Sequence, residues 1–78
     1  MLLTSELVDE MNTLLLYNIT NTQEGIKIHT SAEPSKIAAA KRLFDKGLIT
    51  QEDGGYLTVL GREAAEQIHM AHTIMTSA

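Results

Sequence analysis

One stretch constrains this chain more than any other. From Ile37 to Ala65 it reads IAAAKRLFDKGLITQEDGGYLTVLGREAA. A helical run stops at Gly47, since glycine readily takes the left-handed conformation that ends helices. Two short apolar runs then flank Asp53-Gly54-Gly55, and adjacent glycines accept the positive φ of a tight hairpin turn. A second helical run begins after Thr58. Helix, strand, turn, strand and helix in that order predict a mainly α fold with a small β-hairpin.

The remaining elements follow from caps and periodicity. Thr4 or Ser5 can cap a first helix over 4–17, with Glu6, Asp9 and Glu10 near its positive end. Leu7, Met11, Leu14 and Leu15 form its apolar stripe. Residues 22–30 admit two readings. Thr22-Gln23-Glu24 resembles a helix N-cap and acidic first turn, whereas Ile26 and Ile28 alternate with Lys27 and His29 as in a strand. Counting back from the next helix favours a short helix; a strand would pair with the later hairpin. Ser31 can cap a helix over 32–46, where Pro34 is tolerated in the first turn. The hairpin spans 48–58, and Thr58 caps a last helix over 59–76.

A chain of 78 residues suits one domain, 1–78, with a small core. It has no cysteine, so no disulfide or thiolate-zinc site can staple that core. Helix packing or self-association must do so. Absence of cysteine is in keeping with a reducing compartment. No apolar run nears the roughly 20 residues of a membrane span. The acidic start MLLTSELVDE lacks the basic region of a secretory signal. A cytoplasmic chain with no membrane span is expected.

Charge is unevenly spread. The net charge of -4 divides into -4 over residues 1–24, +3 over 25–50 and -3 over 51–78. Five of the six basic residues therefore fall in the middle third. At about 100° per residue, Ile37, Ala40, Leu43 and Phe44 share one side of the 32–46 helix, the expected core side. Ser35, Ala38, Ala39, Arg42 and Lys46 fall opposite. Alanines allow close approach and can touch a thymine methyl, while serine and arginine reach phosphates or base edges. Alanine is also simply the best helix former.

Three stretches carry a family resemblance. Arg42-Leu43-Phe44-Asp45-Lys46-Gly47-Leu48-Ile49, Gly55-Tyr56-Leu57-Thr58 and Leu60-Gly61-Arg62-Glu63-Ala64-Ala65 resemble the recognition helix, wing and following helix of winged helix-turn-helix bacterial regulators. This likeness covers about residues 22–66. The whole chain also looks like a small bacterial family of uncharacterised proteins of this length, described as DNA-binding. Gly25-Ile26-Lys27 and Gln51–Thr58 carry that closer likeness. The sequence departs from the regulators at His29 and Thr30, where they place an apolar residue, and at the acidic wing tip, Glu52 and Asp53.

The resemblance implies a winged helix-turn-helix that binds double-stranded DNA as a transcriptional regulator. Ser35, Ala38, Ala39 and Arg42 would face bases, and Lys27, Lys36, Lys41 and Lys46 would contact phosphates. The last helix is long for so small a domain. Ile68, Ala71, His72, Ile74 and Met75 on it are the expected homodimer interface, unless the end of this helix folds back on the first helix and completes the core. The alternative is a winged-helix protein-interaction module without nucleic-acid binding, favoured by the net charge and the acidic wing.

Catalytic motifs are absent: there is no phosphate-binding glycine loop, no nucleophile elbow and no triad spacing. No enzyme activity and no cofactor are expected. Glu66, His69 and His72 recur every three residues, but the outer two diverge by about 120° around the helix, so no metal site is expected.

Overall fold

The computed structural model describes residues 2–21 and 23–77. Its elements are α1 (Ser5–Leu14), β1 (Ile26–Lys27), α2 (Pro34–Asp45), β2 (Ile49–Gln51), β3 (Gly54–Leu57) and α3 (Val59–Thr76). The fold is mainly helical with one small antiparallel sheet, whose strand order is β1-β3-β2.

Thr4 starts α1 as an N-cap: its hydroxyl accepts from the Leu7 N–H at 3.1 Å. The helix ends at Leu14 rather than Tyr17. Tighter bonds, Leu16 N–H to Thr13 O and Tyr17 N–H to Leu14 O, turn the chain down and bury Tyr17. The buried face of α1 is Glu10, Thr13 and Leu14. Of the expected stripe, only Leu14 is buried; Met11 and Leu15 are half-buried and Leu7 is exposed. Thr13 is satisfied in its buried position by donating to Asp9 O at 2.8 Å.

The short helix expected within residues 22–30 is absent among the described residues, and β1 stands there instead. Ile26 pairs with Gly55 and Lys27 with Gly54. The Ile28 N–H donates to Asp53 O at 2.7 Å, so the backbone finds its partners across the sheet rather than within a helix. The Thr22 cap lies outside the described residues. A single turn, closed by Ala32 N–H to His29 O at 2.9 Å, leads into α2. Ser31 is not the cap of α2. Glu33 occupies that position without a side-chain bond, and Pro34 opens the helix where its missing N–H costs nothing.

Gly47, at φ 77°, ends α2. Ile49 of β2 faces Leu57 of β3, and Gln51 faces Gly54, with a register shift between them. A Cβ on Gly55 would lie 2.5 Å from Thr50 Oγ1, so the hairpin closes only around glycine.

Thr58 joins three elements. Its hydroxyl donates to Gly47 O at 2.7 Å and accepts from the Gly61 N–H at 3.0 Å. Its own N–H donates to Leu48 O at 3.0 Å. Gly61 then packs so close that a Cβ there would meet Leu48 O at 1.8 Å. The exit of α2 and the start of α3 are thereby locked together.

The core comprises Leu14, Tyr17, Ile28, Ala40, Leu43, Ile49 and Ala65, with Ile37, Leu57 and Ile68 packed against it. Phe44, expected inside, is partly exposed. From Met70 to Ser77 every residue of the final segment is exposed.

Candidate functional site

Two surfaces stand out, the outer side of α2 and the far end of α3. Helix α2 is covered on two adjacent flanks, by the core and by α1. Its buried residues are Ala39, Ala40 and Leu43. Ala39 was expected to face DNA, but it is 0% exposed. A helical wheel drawn for one core predicts a single buried side; here the second flank belongs to α1. Pro34, Ala38, Lys41 and Asp45 make up the truly outward row, at i, i+4, i+7 and i+11.

Arg42 and Lys46, also expected to face DNA, turn toward α1. Arg42 Nε donates to Glu10 Oε2 at 2.9 Å, and its Nη2 donates to the Glu6 carbonyl at 3.1 Å. The Glu6 carboxylate lies 3.7 Å from Arg42 Nη1. Lys46 Nζ donates to the other Glu10 oxygen, Oε1. Glu10 itself is only 4% exposed. Burial pushes its carboxyl up, but the bonds and charges of Lys46 and Arg42 outweigh that and hold it below the ordinary value of 4.5. Its bond to the Glu10 carboxylate, with the negative charges of Glu10, Glu6 and Asp9, raises the Arg42 guanidinium above its ordinary value.

Lys46 nonetheless stays exposed, as do Lys27, Ser35, Lys36, Ala38 and Lys41 of the expected DNA set. Lys27 sits 4.0 Å from Asp53. Lys36 and Lys41 make no ion pair among the described residues. Acidic groups stand beside them. Glu33 precedes α2, Asp45 ends it, and Glu52 and Asp53 face Lys41 across a groove of about 260 Å³ between α2 and the hairpin turn. This is a small basic island, not a continuous basic face.

At the other surface, Met70, Ile74 and Met75 are 59%, 66% and 82% exposed. Of the expected dimer residues, Ala71, His72, Ile74 and Met75 are exposed, whereas Ile68 packs against the core. An open groove of about 420 Å³ runs along the helix between Ile19 and Glu66, His69, Met70, Thr73 and Ile74. His69 Nε2 is buried there without a hydrogen-bond partner. Leu2 and Leu3 ahead of α1, and Leu7 and Val8 on it, are exposed as well.

Among the described residues, no group of three His, Asp or Glu side chains is arranged to hold a metal, and no helix is long and apolar enough to cross a membrane. A family model matches residues 1–76, almost the full chain. The chain belongs to DUF5669, a family of unknown function. No curated protein and no solved structure matches it.

The residue that sequence reasoning missed in this DUF5669 chain is Glu10. A signal for it exists. Glu6 and Glu10 stand four apart on α1, as do Arg42 and Lys46 on α2, so two antiparallel helices could pair them two against two. Glu10 also shares a face with Thr13, Leu14 and Tyr17, at i, i+3, i+4 and i+7, which marks it as inward-facing.

Proposed function

We propose that this chain is a winged-helix protein-interaction module that docks its partner through the end of α3. The sheet order and the placement of the hairpin between α2 and α3 support a winged layout in which the helix-turn-helix pair is reduced to a turn and one helix. One observation carries the functional choice: Glu10 holds both Arg42 and Lys46 against α1. Phosphate contact by these two side chains would require breaking bonds to a buried carboxylate and leaving that charge unpaired, which is costly. The acidic hairpin turn adds repulsion where a DNA-gripping wing needs cations. The end of α3 instead exposes Met70, Ile74 and Met75 on a stretch without charged side chains.

A second reading, DNA binding by a transcriptional regulator, draws on Lys36, Ala38 and Lys41, which do face outward on α2. The test is fluorescence anisotropy of labelled random-sequence duplex DNA at low salt. The module reading predicts no salt-sensitive binding and no difference between the wild type and a Lys36→Glu, Lys41→Glu double variant. Salt-sensitive binding that the double variant abolishes would establish the second reading instead.

A further inference from the structure

We infer that the crevice between the exit of α1, the end of β3 and the start of α3 binds a free amino acid with an apolar side chain. This site is separate from the far end of α3 and does not depend on the reading of that surface.

The crevice holds about 210 Å³, and Tyr17, Ile19, Leu57 and Val59 give it apolar walls. An apolar cavity of about 150 Å³ accepts a benzene ring. The space therefore suits one side chain of leucine or phenylalanine size and little more. Val59 is 88% exposed and Ile19 is half-buried, so apolar surface is left for a ligand to cover.

Two opposite charges, Arg62 and Glu24, complete the lining. Both are exposed, and neither forms an ion pair, with the other or elsewhere, among the described residues. Arg62 stands near the start of α3, whose first turn holds no acidic residue, so guanidinium and helix dipole both favour an anion there. The planar fork of an arginine matches a carboxylate. Glu24 Oε2 accepts from the Asn18 and Asn21 side-chain amides at 3.2 and 3.4 Å. Those amides steady the Glu24 carboxylate without neutralising it, which leaves an acceptor for an ammonium group.

Charge complementarity then selects the ligand. An α-amino acid carries a carboxylate for Arg62, an ammonium for Glu24 and a side chain for the apolar walls on one carbon. An apolar carboxylate without the ammonium meets Arg62 but is repelled by Glu24, and an apolar amine faces the converse. A peptide terminus offers only one of the two charges.

An amide-resolved NMR titration of the full chain with L-leucine at low salt tests this, beside 4-methylpentanoate, which lacks the ammonium, and 3-methylbutylamine, which lacks the carboxylate. Leucine should shift the signals of Ile19, Leu57, Thr58 and Val59 saturably, and each single-charge analogue should bind about tenfold more weakly or worse. Arg62→Gln and Glu24→Gln should each weaken leucine binding by a similar factor, with circular dichroism unchanged. No saturable shift up to the solubility limit of leucine overturns the inference. So does an analogue that binds as tightly as leucine, or a folded Glu24→Gln variant that binds leucine as well as the wild type.

Discussion

Arg42 Nε and Glu10 Oε2 lie 2.9 Å apart, joining residues 32 positions distant in sequence. Lys46 takes the second carboxylate oxygen, so one buried acid gathers the two cations at the end of α2. The pairing ties the end of α2 to α1 and engages two of the eight residues expected to contact DNA in bonds within the chain. Ala39 leaves that set for a related reason, because α1 packs over the same flank.

Stability should depend on Glu10 and on pH. Glu10→Ala strands its two cations at the α1–α2 contact and should cost about 1–3 kcal/mol. The Glu10 carboxyl is depressed in the fold, so its contribution is present above the unfolded value and is lost as pH falls through the folded one. Urea midpoints should therefore drop progressively below pH 4.5 in the wild type. The same series in Glu10→Gln should show a shallower decline. Equal slopes would remove Glu10 as the source.

Gly61 offers a prediction opposite to the usual helix rule. Replacing an interior helical glycine by alanine ordinarily stabilises by about 1 kcal/mol. Here the added carbon would meet Leu48 O at 1.8 Å, and that oxygen is backbone held by Thr58. Gly61→Ala should destabilise by about 3 kcal/mol or more, read by thermal or denaturant unfolding. Stabilisation would mean that α3 does not sit this close to the end of α2.

How much of this was legible follows from the range of each interaction. Thr58, Gly47 and the paired glycines act over a few residues, and they located the hairpin and α3 from the sequence. The start of α1 was equally local, through Thr4. What escaped depends on distant partners. Strand β1 has two residues and exists only through pairing with Gly54 and Gly55. Its alternation was visible, but local cap chemistry at Thr22–Glu24 favoured a helix. The orientation of α2 escaped because a wheel cannot know that α1 will cover a second flank. Glu10 escaped because acidic residues in an early helical turn already have a sufficient local explanation in the helix dipole.

Tyr17 combines burial with an unpartnered hydroxyl. Burial, then the charge of Asp53, moves its phenol from 10.0 to about 12. The fold opposes its ionisation, so stability is unaffected by this group below pH 10.0 and falls as pH rises toward about 12. Ultraviolet titration of the folded protein should reveal one phenol ionising near that upper value, missing in Tyr17→Phe. The same variant should be neutral or stabilised by about 1 kcal/mol, since it removes an unsatisfied polar group and little else. Marked destabilisation would imply a hydrogen bond to that hydroxyl.

Neighbouring alanines on α2 separate the two orientations of the helix. Ala38 is exposed and Ala39 is fully buried. Ala38→Leu should change stability by less than about 0.5 kcal/mol, whereas Ala39→Leu should cost about 1–3 kcal/mol through overpacking against α1. Equal tolerance at both positions, measured by denaturant unfolding, would restore Ala39 to the outer face.

The most direct test of the central claim, that Glu10 keeps α2 from serving as a DNA-reading helix, is an amide-resolved NMR titration of the wild-type chain with duplex DNA at low salt. The signals from Ser35 to Lys46 should stay unmoved. Salt-dependent shifts across Ser35–Lys46, together with loss of the Glu10 contacts to Arg42 and Lys46, would contradict it.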